Sequence, residues 1–363
     1  MKNIIIIFGG KSCEHDISII TALTINNVNL SNINKMLIYM KNGKFYLSKK
    51  LQNLRNYINF REKNFFEVTF SCGKMHFLNK YKKSIDIDCA IICNHGGVGE
   101  NGALSGYLEI AEIPYTAPDP FGCALFIDKV RTKNYLNSIK CPTVESVTYN
   151  KGDSIDLIDD FGYPVIIKPA RQGSSIGVSI VKNKDELVEK LNFALNFDKK
   201  ILVERVLSNF IELNCAAYSV NGKIILSEIE RPIYNSEYYD FETKYIDFDG
   251  ISRELPAKIP LEIENAVYKY TERIYKTSEL KGVVRVDYLY DGDNLYVCEV
   301  NSIPGSLAFY LFKNRDISLK KLILDLVDEA RRVYKEEEKL TNDFASKVLT
   351  NFNTAKLSDG VKK

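Results

Sequence analysis

The sequence holds no segment that could cross a membrane or act as a secretory signal. Ile4-Ile5-Ile6-Ile7-Phe8 is apolar but stops at Gly9-Gly10, far short of the roughly 18 residues a span needs and shorter than a signal's apolar core. An excess of one charge is missing too. The 49 Lys and Arg stand against 47 Asp and Glu, a net +2, so the overall balance gives no drive toward nucleic acid or an anionic membrane. Paired short cysteine spacings are absent among the eight cysteines. Cys89 and Cys93, four apart in an apolar run, would face one side of a strand. Reduced core thiols in a cytoplasmic protein are therefore expected rather than a zinc site. No internal repeat is visible.

What is there is an ordinary globular composition, 45% hydrophobic and 26% charged. The 363 residues allow two or three packed units at about 100–200 residues each. Residues 41–83 depart from the general balance, with many Lys and Arg but only Glu62 and Glu67 as acids, interleaved with Phe and Tyr. That stretch could face nucleic acid, although such runs are ordinarily solvated faces.

Strand-length apolar runs alternate with helical patterns, which points to an α/β and α+β architecture. Residues 3–8 read as a buried strand followed by a glycine turn and a helix from about Ile17, and 85–93 as a second buried strand. Together they make residues 1–125 an N-terminal parallel-sheet domain. Beyond Pro142 a second unit begins, with strands at 163–168 and 201–204 and a helix over 185–197. Asp291-Gly292-Asp293 signals a hairpin between strands at 282–290 and 294–300. Leu319, Leu322, Ile323, Leu326, Val327 and Ala330 form one helix face behind the N-cap Ser318. From 341 the chain is patternless and reads as a loose tail.

Four constellations carry chemistry. Gly9-Gly10-Lys11-Ser12-Cys13-Glu14-His15 follows a buried strand, the place where α/β folds gather backbone amides around a ligand. It lacks the G-x-G-x-x-G spacing of a dinucleotide fingerprint, and a purely structural turn explains it equally well. Lys168-Pro169-Ala170-Arg171-Gln172-Gly173-Ser174-Ser175-Ile176-Gly177 sets a strand-end ammonium beside a small-residue loop, which suits a polyphosphate without being a Walker A loop. Arg285-x-Asp287 and Glu299-x-Asn301 lie on paired strands. Each pair shares one face, so Asp287, Glu299 and Asn301 meet as hard oxygen ligands suited to Mg²⁺ on phosphates, with Arg285 beside them for an oxyanion. Tyr238-Tyr239-Asp240-Phe241-Glu242-Thr243-Lys244-Tyr245 reads either as a lid closing on a charged substrate or as a partner-binding loop.

In this order the segments resemble the D-alanine–D-alanine ligase family of the ATP-grasp superfamily. The first is similar to G-G-x-S-x-E-H, and His95-Gly96-Gly97-Val98-Gly99-Glu100-Asn101-Gly102 to H-G-x-x-G-E-D-G. Asp128-Lys129-Val130-Arg131-Thr132-Lys133 resembles D-K-x-x-(S/T)-K, and the segment from Ile167 to Gly177 resembles (V/I)-K-P-x-x-x-G-S-S-x-G. The segment from Tyr239 to Tyr245 is similar to Y-D-(Y/F)-E-x-K-Y, and that from Glu299 to Gly305 to E-x-N-(S/T)-x-P-G. The resemblance spans residues 1–335.

It implies an N-terminal domain over 1–125, an ATP-grasp central subdomain over 126–215, a C-terminal subdomain with lid and metal site over 216–340, and the tail. It further implies that Lys129, Lys168 and Ser174 belong to the ATP site and that Glu204 meets adenine with Val206 or Leu207. Glu212 would take the ribose and Lys244 the γ-phosphate. Asp287, Glu299 and Asn301 would bind two Mg²⁺, or Mn²⁺ in their place. Glu14 would hold the first D-alanine's ammonium, with Ser174 and Tyr245 closing the lid and His95, Gly305, Ser306 and Leu307 around the substrates. Arg285 and the Gly305 amide would form the oxyanion hole. The implied reaction joins two D-alanines through an acyl-phosphate, for peptidoglycan precursor synthesis, in a homodimer without nucleic-acid or membrane partners.

Two departures from the family pattern stand out, the first of them bearing on the acceptor. Where the family has F-T-x-x-S, whose serine meets the second substrate's carboxylate, this chain has Ser306-Leu307-Ala308-Phe309-Tyr310. Asn101 replaces an Asp, and Asn94 stands where an apolar residue is usual. A ligase using D-serine, D-lactate or another acceptor therefore remains a rival, as do a non-catalytic nucleotide-binding protein and, more remotely, a nicotinamide dehydrogenase.

Overall fold

The computed structural model describes residues 2–78, 83–234 and 251–341. Strand β1 (Lys2–Gly9) lies parallel to β2 (Ile33–Lys41) on one side and to β7 (Cys89–Ile92) on the other. Its residues 4–8 are completely buried, which is why it reads as an unbroken apolar run rather than an alternating one. Ile4, Ile6 and Phe8 pack toward the helices His15–Asn26 and Leu319–Glu337, while Ile5 and Ile7 pack toward Leu104 and Leu108.

The expected strand over 85–93 is two strands. Ser84–Asp86 forms β6 and Cys89–Ile92 forms β7. Between β2 and β6 run β3 (Lys44–Leu47), β4 (Phe66–Ser71) and β5 (Lys74–Phe77), all antiparallel, so the sheet order is β6-β5-β4-β3-β2-β1-β7. Only Ile87 and Asp88 separate strands at opposite edges of this sheet, so those edges approach within about 11 Å and the sheet must curl. Asn3 ties them, donating its side-chain amide to the Asp86 carbonyl at 3.0 Å and its backbone N–H to the Asp88 carboxylate at 2.8 Å. The parallel portion is thus confined to three strands. Within the basic stretch, residues 41–78 build most of the antiparallel portion, with Lys44 paired to Glu62 and Glu67 at a solvated surface.

The second sheet is antiparallel, with β8 (Ser146–Asn150), β9 (Val165–Pro169), β10 (Ser179–Val181) and β11 (Lys200–Arg205) in the order β10-β9-β11-β8. Leu187, Leu191 and Ala194 of the helix Lys184–Leu195 cover one face. In the third sheet, β12 (Ile211–Val220) pairs with β13 (Lys223–Leu226) and with β16 (Val284–Tyr290), and a separate ribbon joins β14 (Arg231–Tyr234) to β15 (Ile251–Glu254). Strands β16 (Val284–Tyr290) and β17 (Leu295–Asn301) form the expected hairpin. Behind them the helix Leu261–Thr277 buries Val267, Ile274 and Tyr275.

The helix Leu319–Glu337 begins at Ser318, whose hydroxyl accepts the Lys321 N–H at 3.2 Å. Its expected face returns to the first sheet, where Leu322, Ile323, Leu326 and Val327 join the β1 core. No described helix is long and apolar enough to cross a membrane. The tail 342–363 lies outside the described residues.

Candidate active site

Three chain segments meet around Glu14. The first is the turn after β1. Gly9 and Gly10 have φ of 89° and 95°, and a Cβ on Gly9 would fall 2.6 Å from the Met40 carbonyl oxygen, so only glycine fits. Ser12 donates its hydroxyl to the His95 carbonyl at 2.6 Å and accepts the Glu14 N–H at 2.9 Å. The second is the loop after β9, where the Ser174 hydroxyl donates to Glu14 Oε1. The third is the segment from His95 to Glu100. Ideal Cβ atoms on Gly96 and Gly173 would lie 3.0 and 2.7 Å from Glu14 Oε2, so two glycines leave room for this carboxylate. His15 serves the turn itself, facing the Gly10 carbonyl at 2.7 Å and the Tyr39 hydroxyl at 2.8 Å.

Lys168, at the end of β9, pairs with Glu204 of the neighbouring β11, as the cross-strand geometry allows. The other Glu204 oxygen lies 2.6 Å from Lys133 Nζ. Lys133 and Glu204 are buried, and Lys168 is half-buried. Burial would raise the Glu204 carboxyl, but the two lysines outweigh it and hold it below its usual range. Burial pushes Lys133 down, while Lys168 is held above its usual value because Glu204 overcomes the same desolvation. Glu204, expected at an adenine, is thus engaged by two lysines here. Val206 and Leu207 follow β11 directly and are half-buried, as is Glu212 on β12. Lys129 donates to the Gln172 carbonyl at 2.6 Å and lies 3.7 Å from Glu299 Oε2.

On the third sheet the register places Arg285 opposite Asn301 and Asp287 opposite Glu299. The Arg285 guanidinium donates to both Asp287 oxygens, at 2.6 and 2.7 Å, and Asn301 Nδ2 donates to Asp287 Oδ2 at 3.0 Å. Burial would lower Arg285, but Asp287 more than offsets it and keeps the guanidinium charged. Among the described residues no three His, Cys, Asp or Glu cluster as a metal site. The donor set is two carboxylates and an amide on one face. That suits a hard cation taking few protein oxygens and completing its shell from phosphate and water.

The segment after β17 carries Gly305, Ser306 and Leu307. Ser306, Leu307 and Ala308 are consecutive left-handed residues, with φ of 51°, 53° and 46°. Leu307 is buried in the β1 core, and the Ser306 N–H donates to Thr21 Oγ1 at 3.1 Å. Tyr310 donates its hydroxyl to Glu230 Oε2 at 3.1 Å, and the Arg253 guanidinium stacks on its ring at 4.4 Å while reaching Glu230 Oε1 at 3.1 Å. Lys244 and Tyr245 lie outside the described residues.

The two asparagines have local reasons. Asn94 is fully buried and ties the end of β1 through a 2.8 Å bond to the Gly9 carbonyl. Asn101 Oδ1 accepts the Ala103 N–H at 3.0 Å, a task Asp would perform equally well. Missed from the sequence were the Lys133 partnership, Thr21, Glu230, Arg253 and the contacts of Glu100. Lys133 and Glu100 stand inside the quoted motifs, but nothing in their spacing names a partner.

Comparison with known proteins finds family-model matches in both halves of the chain. The family model described as D-ala D-ala ligase N-terminus matches residues 3–118, and that described as D-ala D-ala ligase C-terminus matches residues 136–328. The D-alanine--D-alanine ligase of Thermosipho africanus is 34% identical over 353 residues, 93% of this chain and 95% of the relative. Among solved structures, the D-alanine–D-alanine ligase of Helicobacter pylori superposes with a TM-score of 0.77 at 26% identity, covering 90% of this chain and 98% of that one. The VanG D-Ala:D-Ser ligase of Enterococcus faecalis gives a TM-score of 0.78 at 26% identity, with 91% and 99% covered.

Proposed function

The chain belongs to the D-alanine–D-alanine ligase family, and on that premise we propose that it joins two D-alanines with the hydrolysis of ATP to ADP and phosphate. It is an ATP-dependent ligase with an ATP-grasp fold, forming a peptide bond for cell-wall precursor synthesis. The observation that carries the reading is the approach of Lys129 to Glu299 on the Arg285–Asp287–Glu299–Asn301 face, with Glu14 bonded to Ser174 in the loop that follows Lys168.

A carboxylate is a poor electrophile, so the first D-alanine's carboxylate attacks the γ-phosphate and becomes an acyl-phosphate, releasing ADP. Lys129 and Lys168 would hold the phosphates, Glu212 the ribose, and Glu204 with Val206 or Leu207 the adenine. Asp287, Glu299 and Asn301 would hold two magnesium ions, or manganese, which when bound supply neutralising charge to the phosphates. Glu14 would hold the first ammonium. The second D-alanine's amine then attacks the acyl carbon, phosphate leaves, and Arg285 with the Gly305 amide would meet the oxyanion of the tetrahedral intermediate. His95, Ser306 and Leu307 would shape the space around the substrates. Exclusion of water protects the acyl-phosphate from hydrolysis.

A panel of D- and L-amino acids with ADP release as readout tests this. D-alanine alone should give ADP and the dipeptide; no ADP with D-alanine but ADP with another pair would overturn the substrate assignment. One observation favours a second acceptor. Tyr310 stands where the family's carboxylate-binding serine is expected and is engaged with Glu230 and Arg253, so D-serine and D-lactate belong in the panel. The eight cysteines form no disulfide, which supports a cytoplasmic setting. The family's common state supports a homodimer, which light scattering would test.

A further inference from the structure

Glu100 is a buried carboxylate that the reaction just described does not use. Its Oε2 accepts the Gly96 N–H at 2.8 Å, and its Oε1 accepts the Ser302 hydroxyl at 3.1 Å and the Ile303 N–H at 3.2 Å. Among the described residues no cation lies within ion-pair distance of it. A buried carboxylate without a countercharge is expensive to keep. Its three donors belong to two segments about 200 residues apart in sequence.

The same short segment grips Ile303 from its other end. His95 Nδ1 lies 2.8 Å from the Ile303 carbonyl oxygen. A carbonyl only accepts, so Nδ1 carries the proton and Nε2 accepts the Thr21 hydroxyl at 3.1 Å. Burial lowers the His95 pKa and favours this neutral form. Thr21 Oγ1 in turn accepts the Ser306 N–H at 3.1 Å. Both backbone groups of Ile303 are thereby held by side chains five positions apart, and Ser306 is held through His95 and Thr21. Gly305 lies between these fixed points, and an added Cβ there would meet nothing within 4 Å. Packing therefore does not demand glycine at 305; open space lies beside it. Immediately beyond come the three left-handed residues Ser306, Leu307 and Ala308, a backbone that persists only when its surroundings over-determine it.

We propose that Glu100, acting through the Ile303 amide, is a positioning residue that sets the Gly305 loop for attack by the second amino acid. This inference rests on the ligase reading above. Its effect should show least in the KM for ATP, because Lys168, Glu204 and Glu212, which would hold the nucleotide itself, are on β9, β11 and β12 and not on β17, which carries Glu299 and Asn301 and runs into Ile303. Glu100→Gln is the informative variant. Its single carbonyl oxygen can accept either the Gly96 N–H or the Ser302 and Ile303 donors but not both sets, and its amide nitrogen accepts neither, so the bridge between Gly96 and Ile303 is broken in either orientation.

The test measures kcat, the KM for ATP and the KM for each of the two amino acids in the full-length wild type, E100Q and E100A, alongside thermal unfolding. Expected for E100Q is a fall in kcat of roughly 10- to 100-fold, the scale of a misplacement near 1 Å. The second-site KM should rise, the KM for ATP should stay within about twofold, and E100A should be worse. Equal KM values in wild type and variants, or a parallel loss in every constant together with a collapse in Tm, would overturn the proposal. Wild-type turnover of D-alanine tests the ligase reading separately; if another pair proves to be the substrate, the same constants are read with that pair. Amide hydrogen exchange over residues 302–306 needs no substrate. It should be faster in E100Q, and unchanged exchange would also overturn the proposal.

Discussion

Asp287 and Glu299 are direct cross-strand partners, and the ladder between β16 and β17 slips by one residue immediately beyond them, pairing Tyr288 with Val297. The extra residue is Cys298. In a regular strand Cys298 and Glu299 would point to opposite faces. The bulge brings both to the site side, while Val297 and Val300 stay in the core behind. Burial pushes the Cys298 thiol up to about 12 despite the nearby Lys168 charge, so it stays a neutral thiol beside the two acids.

This pairing makes Glu299→Gln and Asp287→Asn direct tests of the proposed metal face. Either change removes one anionic oxygen donor and leaves the fold's apolar side untouched. ADP release should fall by about 100-fold or more at fixed magnesium, with the magnesium titration displaced upward by at least the 10- to 100-fold typical of disturbing a ligand's supporting shell. A wild-type magnesium curve in both variants would remove these residues from the metal assignment. Asp287→Asn should further loosen Arg285, whose guanidinium is held by both carboxylate oxygens.

Lys133→Met should destabilise the protein by about 3 kcal/mol, at the low end of the cost of removing one partner from a buried ion pair. Lys168 remains to compensate Glu204, which is why the low end applies. Urea unfolding at constant m-value measures it, and ATP binding by titration should weaken in parallel because Glu204 and Lys168 lose their fixed geometry. Undiminished stability would mean that the Lys133–Glu204 contact, at 2.6 Å, contributes no net energy.

Gly173→Ala separates a functional close approach from a packing one. The added Cβ would meet the Glu14 carboxylate oxygens at 2.7 and 3.0 Å. That carboxylate ends a flexible side chain, so it can move aside and the fold should survive. The KM for the first amino acid should rise by roughly tenfold, about 1.4 kcal/mol of lost interaction, while the KM for ATP changes little. An unchanged first-site KM with intact folding would dissociate Glu14 from the first amino acid.

Much of the fold was legible where one signal dominated. The Ile4–Ile7 run, the Asp291-Gly292-Asp293 turn and the Ser318-capped helix face each announce themselves locally, and each element is found. The break at Ile87 and Asp88 was not legible, because Ile85 and Ile87 lead straight into the apolar Cys89–Ile92 and two strands at opposite edges look like one in sequence. In the site, residues two apart on adjacent strands could be placed on one face by periodicity, and Arg285, Asp287, Glu299 and Asn301 are so placed. Contacts over long separations escaped. Glu100 to Ile303 spans 203 positions and Thr21 to Ser306 spans 285. Partner choice there depends on how separate sheets dock, which no local pattern encodes. Lys133 was hidden for another reason: on a helix it reads as one more exposed lysine, yet it is buried and bonded to Glu204 and the Val144 carbonyl.

Glu100 also predicts a pH dependence of stability. Burial, then the negative charge of Glu14, raises its pKa from 4.5 to about 7, against three hydrogen bonds that favour the ionised form. Below the unfolded value both states are protonated and the group is neutral toward stability. Between 4.5 and about 7 the folded state keeps a proton that the unfolded state has lost, so stability falls as pH rises through this window and levels off above it. Glu100→Gln cannot titrate. The stability of E100Q relative to wild type should therefore shift in the variant's favour by about 3 kcal/mol between pH 4.5 and pH 8, at 1.36 kcal/mol per unit. Denaturant midpoints for both proteins at several pH values across that range measure the shift. A difference independent of pH would show that the Glu100 carboxyl ionises as readily in the folded chain as in the unfolded one, and that its three donors fully offset its burial.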